Sequence, residues 1–296
     1  MPVSAAALRG LCADEMARNP RGFGSAAWLH EAYLAVPREH FVPDRVWWPA
    51  PGEDGRYNLI DRTVRPRAWL KAVYKPGAPL ITQLDDGRVP PAGPATGAFT
   101  SSISSSGVVV ELLRHLAPRP GDRVLEIGTG TGYTTALLAA RVGAENVVTV
   151  EIDPTLAARA TERLAELGVH PLVITGDGEV GHAEGGPYDR IVATASVRRI
   201  PPAWLDQLAA GGVLVVPVDS PFAYDLLARL EGDGAGSAAG SFVAQVTFMR
   251  VRGQREPVPH TDLGWPAALD PTAWAELTVV AGPMGQRVHP PTPVVP

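Results

Sequence analysis

The chain has 296 residues, of which 45% are hydrophobic, and its formal net charge is -5 at pH 7. This length accommodates one α/β core with additional segments, or a core and a small second module. The acidic balance predicts no broad basic surface, which argues against nucleic acid as a partner. The single cysteine, Cys12, excludes an intrachain disulfide and is expected to pack as a small hydrophobic side chain.

Signals for membrane insertion, secretion and metal binding are missing from the sequence. No basic region is followed by a long apolar run at its start, and no stretch approaches the roughly 18–20 apolar residues of a membrane helix. We therefore expect a cytoplasmic protein without a membrane partner. No cysteine and histidine residues have the spacing of metal ligands, so no metal is expected.

Three segments of different composition follow one another along the chain. Residues 1–99 are rich in Trp, Arg and Pro, and predict helices over residues 5–18 and around residues 25–36 in an otherwise irregular chain. Residues 100–252 alternate short β-branched runs with Ala- and Leu-rich runs, which indicates the folded core. Residues 253–296 form a proline-rich C-terminal extension ending in HPPTPVVP, which predicts an extended tail.

The core has the pattern of an α/β fold. Strands are predicted over residues 123–127, 146–151, 169–175, 189–194 and 212–218, and helices over 133–141, 155–167 and 202–209. This alternation predicts a mostly parallel, Rossmann-like sheet covered on both faces. Residues 225–231 and 244–252 are predicted to add antiparallel edge strands, with the Gly/Ala/Ser tract 232–241 as a flexible loop between them.

A glycine-rich turn, GTGTG at residues 128–132, joins the first core strand to its helix. Glycines at such a junction allow a sharp turn and a close approach of a ligand to the backbone. The alternative is a tight turn without a ligand. Glu151 ends the second strand, at about the 20-residue spacing at which an acid meets a ribose diol. A solvated carboxylate at a strand end is the alternative for Glu151.

The form of the turn bears on the choice of nucleotide. The pattern is G-x-G-x-G rather than G-x-G-x-x-G, and Glu126 precedes the first glycine by two residues. Glu126 would repel a pyrophosphate but tolerates the cationic end of S-adenosyl-L-methionine (SAM). Glu126 can equally orient the loop by hydrogen bonds to its amides. Asp177 ends the third strand and is placed for an adenine amino group or for an ordinary Asp-Gly turn.

These motifs resemble one family. VLEIGTGTGY, VEIDPTLAARA, TGDGE and YDRIVATASVRRIPPAWLDQLAAGGVLVVPV follow AVPREHFVPDRVW in the order and spacing of the protein-L-isoaspartate O-methyltransferases, over about residues 29–252. The resemblance implies a SAM-dependent methyltransferase core that methylates an isoaspartyl carboxylate of a peptide. It also implies the cofactor-binding residues Ser101, Ser102, Ile103, Ser104, Gly128, Thr129, Gly130, Glu151, Ile152, Asp177 and Gly178, to which the glycine turn itself adds Gly132 and the preceding strand Glu126.

Departures from the family cluster on the expected substrate side. Ser105, Ser106 and Gly107 stand where the family has Gln-Pro or Ala-Pro and then an aromatic residue or His, and residues 74–80 replace its acidic tyrosine segment. This pattern resembles the branch that tailors ribosomally made peptides, in which a methylated Asp becomes aspartimide or isoaspartate. The resemblance therefore predicts a peptide or protein substrate with Asp or isoAsp, including a cyclised precursor peptide.

Ser104 matches the active-site serine of the family, and Ser102 lies beside it. A carboxylate is already ionised at neutral pH and needs no general base, so the hydroxyls of these serines are expected to hold its spectator oxygen. The alternative is a capping role, with Ser106 as N-cap of the helix VVVELLRHL.

Two other functions stay open. One is a general repair methyltransferase that accepts diverse isoaspartyl peptides. The other is a SAM-binding or peptide-binding module without turnover, if the altered serine segment has lost catalysis.

Overall fold

A computed structural model describes residues 4–291, which form two compact units. Unit 1 comprises Met1–Ala117, Thr129–Ala144 and Asp153–His170, and unit 2 comprises Pro118–Gly128, Glu145–Ile152 and Pro171–Pro296. The end of the predicted extended tail, residues 292–296, lies outside the described residues, as do residues 1–3. The division into residues 1–99, 100–252 and 253–296 stays a prediction.

Unit 1 contains most of the helices: α1 (Ala5–Ala17), α2 (Ala27–Ala35), α3 (Arg38–Phe41), α4 (Pro66–Val73), α5 (Ser106–Leu116), α6 (Tyr133–Val142) and α7 (Pro154–Glu166). Local signals explain several of their ends. Ser4 caps α1 by accepting a hydrogen bond from the amide of Ala7, and Asp153 caps α7 in front of Pro154. Helix α5 ends where Ala117 adopts a left-handed conformation.

Unit 1 also contains an antiparallel sheet of β1 (Arg45–Pro51), β2 (Tyr57–Asp61), β3 (Leu80–Leu84) and β4 (Phe99–Ile103), in the order β2-β1-β3-β4. The expectation of an irregular chain is therefore wrong for these residues. Trp47, Ile81 and Leu84 form the buried cluster on this sheet. The prolines within β1 and the register shifts between β1 and β2 disguise a strand that burial of Trp47 stabilises.

Unit 2 contains a nine-stranded sheet and the short helix α8 (Pro202–Asp206). Its strands are β5 (Val124–Ile127), β6 (Val147–Glu151), β7 (Leu172–Thr175), β8 (Tyr188–Ala193), β9 (Leu208–Val218), β10 (Asp225–Gly232), β11 (Ala238–Val246), β12 (Thr278–Gly282) and β13 (Gly285–His289). The order is β13-β12-β11-β10-β9-β8-β5-β6-β7. Pairs among β7, β6, β5, β8 and β9 are parallel, and all later pairs are antiparallel. The predicted α/β class is confirmed, with a sheet of mixed orientation.

The last predicted edge strand is placed wrongly by the sequence. Strand β11 spans Ala238–Val246 rather than residues 244–252, so half of the tract expected to be a flexible loop is strand. Asp233 closes a tight turn by accepting hydrogen bonds from the amides of Ala235 and Ser237. Small residues suit the pairing, because a Cβ on Gly240 would lie 2.0 Å from the carbonyl oxygen of Arg229.

The C-terminal extension belongs to the fold of unit 2. Its strands β12 and β13 continue the sheet, and Trp265 stacks on Phe242 with ring centroids 5.4 Å apart. Leu263, Trp265 and Leu277 are buried in the core cluster that contains Trp204 and Phe242. This part of the chain is therefore held by hydrophobic burial. Within residues 4–291, no helix is both long and apolar enough to cross a membrane.

Candidate functional site

The carboxyl ends of four parallel strands in unit 2 meet at one edge of the sheet, in the order β8-β5-β6-β7. Gly128 follows β5, Glu151 ends β6, Asp177 follows β7 and Thr194 follows β8. The structure thus brings three of the predicted cofactor-binding positions onto adjacent strand ends. Ligands of open α/β sheets bind at this edge.

The glycine turn depends on backbone conformations that favour glycine. Gly128, Gly130 and Gly132 have φ values of 93°, 55° and 89°. A Cβ on Gly128 would lie 2.6 Å from Oγ1 of Thr194, which donates a hydrogen bond to the carbonyl of Gly128 over 2.5 Å. Thr194 therefore holds the start of the turn by this hydrogen bond, and a side chain at Gly128 would clash with it.

Gly130 is the open position of the turn. Within unit 1, the nearest atom to a Cβ built on Gly130 is the carbonyl oxygen of Ser102, 4.0 Å away. The space beside the half-buried Gly130 is therefore not filled by a side chain, and the predicted serine segment lies beside it. Gly132 is packed instead, because its Cβ would contact Ala160 and Leu164 at 3.4 Å. The arrangement fits close approach of a cofactor to the backbone at Gly130.

Glu126 lies within β5 and is fully buried. Oγ1 of Thr149, on the neighbouring strand β6, donates a hydrogen bond to Oε2 of Glu126 over 2.8 Å. A buried carboxylate needs such donors. The geometry fixes a buried carboxyl group two residues before the turn, which is compatible with both roles considered for Glu126.

Glu151 is buried at the end of β6, and its carbonyl accepts a hydrogen bond from the amide of Gly176 over 3.0 Å. Ile152 follows and is half-buried. In unit 1, the next residue, Asp153, accepts hydrogen bonds from the amides at the start of α7 and from Nε2 of Gln83 over 2.8 Å. Sequence reasoning missed this positioning pair, although Asp-Pro before a helical run is a typical N-cap signal.

Asp177 is exposed after β7, and its Oδ1 accepts a hydrogen bond from the amide of Glu179 over 3.0 Å. The ordinary Asp-Gly turn is therefore present, on the same edge as Glu151. Gly178 lies close to the end of β5, because its Cβ would be 2.6 Å from Cγ2 of Ile127. Trp204 donates from Nε1 to the carbonyl of Gly178 over 2.8 Å and so fixes the turn.

The serine segment of unit 1 alternates in burial. Ser101 and Ile103 are buried, whereas Ser102 and Ser104 are half-buried. The hydroxyl of Ser101 accepts a hydrogen bond from Thr82 over 2.9 Å, which gives it a structural role within the sheet. Ser102 and Ser104 are therefore the members of the segment whose side chains are accessible to a substrate.

Capping of α5 falls to a different serine from the one predicted. Ser105 is the N-cap and accepts a hydrogen bond from the amide of Val108, so the expectation for Ser106 is wrong. Ser106 is the first residue of the helix and lies 3.1 Å from the hydroxyl of Tyr33. Ser106 is buried, and α5 begins two residues earlier than its apolar pattern indicates.

Arg38 is a buried residue beside the serine segment that the sequence did not single out. It donates from Nε to the carbonyl of Val73 over 2.9 Å and from Nη2 to the carbonyl of Ser104 over 2.7 Å. Its guanidinium lies over the ring of Tyr133, 5.1 Å from the centroid. Burial raises the pKa of Tyr133, against a smaller opposing effect of Arg38, so this hydroxyl stays protonated at neutral pH.

Comparison with known proteins identifies the family. The sequence profile described as Protein-L-isoaspartate(D-aspartate) O-methyltransferase (PCMT) matches residues 91–256. The protein-L-isoaspartate O-methyltransferase of Ignicoccus hospitalis is 43% identical over 131 residues, which cover 44% of this chain and 62% of that protein. This match therefore spans less than two thirds of the Ignicoccus protein. The protein-L-isoaspartate O-methyltransferase of Methylorubrum extorquens is 34% identical over 240 residues, which cover 80% of this chain and 87% of that protein.

The fold is shared with solved structures. A Plasmodium falciparum protein ascribed to the same family, solved in complex with S-adenosyl-L-homocysteine, has a TM-score of 0.59 at 17% identity. The similarity covers 82% of this chain and 98% of that chain. The predicted fold class is confirmed by this structural similarity. The profile match over more than half of the chain and the 34% identity to the Methylorubrum protein show that this chain belongs to the family of SAM-dependent protein-L-isoaspartate O-methyltransferases, which confirms the predicted cofactor, SAM.

Proposed function

We propose that this protein transfers the methyl group of SAM to the free carboxylate of an isoaspartyl residue in a peptide or protein. The observation that carries the proposal is the placement of Gly128, Glu151 and Asp177 on adjacent strand ends, in the order of the family's motifs. The relatives support the general repair methyltransferase better than the predicted peptide-tailoring branch, because they bear the general name. A cytoplasmic location is part of this proposal.

The residues of the edge suit the cofactor's chemical groups. The backbone of the turn that begins at Gly128 can approach the amino-acid end of SAM, and the buried Glu126 complements its positive charge. Glu151 is placed to accept hydrogen bonds from a ribose diol, and Asp177 to accept one from the adenine amino group. Two further predicted contacts, Thr129 and Ile152, extend this set along the loops after β5 and β6.

The reaction requires little general acid or base catalysis from the protein. SAM supplies a methyl group activated by a sulfonium, and the carboxylate, with a pKa of about 3.9 for an unperturbed Asp, is already ionised. A carboxylate oxygen forms the new bond to the methyl carbon while the carbon–sulfur bond breaks, giving an ester and S-adenosyl-L-homocysteine. The ester is then attacked by the next backbone amide nitrogen, and methanol leaves as the succinimide forms.

The protein's contribution is to hold the reacting carboxylate in line, about 3 Å from the methyl group, and to exclude water. We assign this role to Ser102 and Ser104, whose half-buried hydroxyls can donate to the spectator oxygen. A neutral hydroxyl suits the task, because a paired cation would stabilise the carboxylate and slow its attack. In this proposal Arg38 holds the backbone of Ser104 by a hydrogen bond and does not itself contact the substrate.

The first experiment is incubation of the protein and SAM with matched peptides that carry Asp or isoAsp at one position, followed by mass spectrometry. We expect methylation of many isoAsp peptides and no change in their Asp partners. Methylation of Asp peptides instead would contradict the repair function. Binding of SAM without methylation of any peptide would favour a module that has lost turnover.

The cofactor site has its own test. Glu151→Gln removes the charge that receives the ribose, and we expect the dissociation constant of SAM to rise roughly 10–100-fold. Glu145→Ala is the matched control. Glu145 is exposed and lies just before the N-terminal end of β6, away from the carboxyl edge of the sheet. Equal SAM binding by both variants, measured by calorimetry, would argue against the assignment of Glu151.

A second candidate is maturation of a dedicated peptide, linear or cyclised. Two observations favour it: Ser105 and Ser106 replace the family's usual residues after Ser104, and the chain continues beyond residue 256, where the profile match ends. Incubation with candidate precursor peptides decides between the two. Methylation of an Asp in one precursor, with generic isoAsp peptides untouched, would establish tailoring and reject general repair.

A further inference from the structure

Two glutamine side chains of unit 2 hold the backbone of residues 198–200. Oε1 of Gln254 accepts hydrogen bonds from the amides of Arg198 and Arg199 at 2.6 and 2.8 Å, and its Nε2 donates to the carbonyl of Arg199 over 3.0 Å. Oε1 of Gln286 accepts from the amide of Ile200 over 2.9 Å, and its Nε2 donates to the carbonyl of Arg198 over 2.9 Å. Five consecutive backbone groups are thus satisfied by two side chains.

Gln254 also reaches a second loop. Its Nε2 donates to Oε2 of Glu179 over 2.6 Å, so that its amide makes four hydrogen bonds in all. The approach is tight, because a Cβ on the preceding Gly253 would lie 2.2 Å from Oε1 of Glu179. Gln254 is therefore a cross-link between residues 198–200 and the turn that contains Glu179.

Both linked loops leave the carboxyl edge of the parallel strands. Glu179 follows Asp177 by two residues, in the turn after β7, and its amide hydrogen-bonds to Asp177 over 3.0 Å. Residues 198–200 follow β8, which pairs with β5 on the side of the sheet away from β6. The cross-link therefore joins the loop predicted to bind adenine to the loop after β8.

The second glutamine comes from a part of the chain outside the family match. Gln286 lies in β13, whereas the match ends at residue 256. Strand β13 is fixed by pairing along β12, which in turn pairs with β11. Gln286 is thereby held on the sheet and presents its amide to residues 198–200.

We infer that Gln254 is a positioning residue for the cofactor site, and that Gln286 assists it by fixing the other side of residues 198–200. The C-terminal extension then contributes to the site, because it supplies the side-chain amides of both glutamines. This inference rests on the proposed function, since it takes the turn at Asp177 as the adenine-binding turn. Neither glutamine needs to touch the cofactor, because each acts through the backbone that it holds or through Glu179.

The donor and acceptor pattern of Gln254 gives the test its direction. In Gln254→Glu, an oxygen replaces the nitrogen that faces both Oε2 of Glu179 and the carbonyl of Arg199. Two carboxylates at hydrogen-bond distance repel each other, so the turn that contains Glu179 is displaced. In the double variant Glu179→Gln with Gln254→Glu, the new amide at position 179 can donate to the new carboxylate. The double variant should therefore regain most of what the single variant loses.

The measurement is the dissociation constant of S-adenosyl-L-homocysteine for the full chain by calorimetry, with circular dichroism as a check of folding. We expect Gln254→Glu to raise this constant about 10-fold, Gln286→Ala about 3-fold, and the double variant to return within about 3-fold of the wild type. Glu256→Gln, an exposed neighbour of Gln254, is the matched control and should not change it.

The outcomes separate this inference from the proposed function. If the wild type fails to bind S-adenosyl-L-homocysteine, the proposed function itself fails. If the wild type binds it and Gln254→Glu binds it equally well, the positioning role is overturned. A loss of affinity that the second substitution at Glu179 does not recover would also overturn it, because the loss would then reflect general damage rather than the lost link.

Discussion

The guanidinium of Arg38 donates a hydrogen bond to the backbone carbonyl of Ser104 over 2.7 Å and another to the carbonyl of Val73 over 2.9 Å. Arg38 is fully buried. Its replacement by Met would leave the buried carbonyl of Val73 and the half-buried carbonyl of Ser104 without these donors, at about 1–3 kcal/mol each. We therefore expect Arg38→Met to lower the free energy of unfolding by about 2–5 kcal/mol in urea denaturation.

The same substitution should slow methyl transfer more than it weakens peptide binding, because it releases Ser104 rather than removing a substrate contact. A lower kcat with a nearly unchanged peptide KM is the expected result. Arg45→Met is the control, since Arg45 is half-exposed and makes only a surface ion pair with Asp61. An Arg38→Met enzyme with wild-type kcat would rule out a positioning role for Arg38.

Gly128→Ala should destabilise the protein and abolish tight SAM binding. The new Cβ would lie 2.6 Å from Oγ1 of Thr194, and the φ of 93° is unfavourable for alanine. Gly121→Ala is a matched control in the same unit, because its φ is 81° but no atom lies within 4 Å of its Cβ. Thermal unfolding should show a loss of about 1 kcal/mol for the control. A Gly128→Ala protein no less stable than the control would show that the contact with Thr194 relaxes freely.

Thr149→Val tests the support of the buried Glu126. The substitution keeps the shape of the side chain but removes the hydroxyl that donates to Glu126 over 2.8 Å. A buried carboxylate that loses a donor costs about 2–3 kcal/mol, which urea unfolding at pH 7 can measure. Thr161→Val is the comparison, because Thr161 only donates to the carbonyl of Ala157 within its own helix. Equal losses in the free energy of unfolding for the two variants would mean that the hydrogen bond to Glu126 contributes no more than the bond within the helix.

Asp225→Asn should change how stability depends on pH. Burial raises the pKa of Asp225, while hydrogen bonds from Arg250 and the amide of Phe248 oppose the rise. A folded-state pKa above the unfolded value of about 3.9 means that the folded protein binds the proton more tightly. The stabilisation from Asp225 is therefore complete below the unfolded pKa and is lost as the pH rises through the folded pKa. The wild type should lose stability relative to Asp225→Asn over that interval.

An opposite slope is expected at Asp233, which makes it a useful comparison. Hydrogen bonds from the amides of Ala235 and Ser237 lower the pKa of Asp233. Its stabilisation is therefore present above the unfolded pKa and is lost as the pH falls through the folded pKa. Urea unfolding of the two Asn variants and the wild type between pH 3 and pH 7, which covers about the range of these carboxyl groups, measures both slopes. Parallel curves for all three proteins would contradict the predictions.

The parallel half of the sheet was predictable from the sequence. Residues 124–127 and 147–151 are mainly β-branched and aliphatic, each with one glutamate, and are separated by a helical pattern, which is the signature of buried parallel strands. The glycine turn and Glu151 follow from the same periodicity, because their places are fixed by where these strands end. The position of β11 was not predictable, since the glycine and alanine of residues 238–240 are typical of loops in local sequence.

Contacts between distant parts of the chain explain the other omissions. Arg38 lies 66 residues from Ser104 along the chain, and Gln254 lies 75 residues from Glu179, so no local pattern could pair them. A lone arginine or glutamine carries no periodic signal. The side-chain role becomes visible only when the backbone groups that it satisfies are known.

Strands β9, β10 and β11 form a meander in which neighbours in the sheet are neighbours in the chain, whereas each parallel pair on the other side is joined through a helix-containing connection. Loop closure is less costly for the meander, so we expect its hairpins to assemble early in folding. The parallel strands that carry Gly128, Glu151 and Asp177 would then be completed last. A ligand that binds at their ends would act on the final step of assembly, and would slow unfolding from that side of the sheet first.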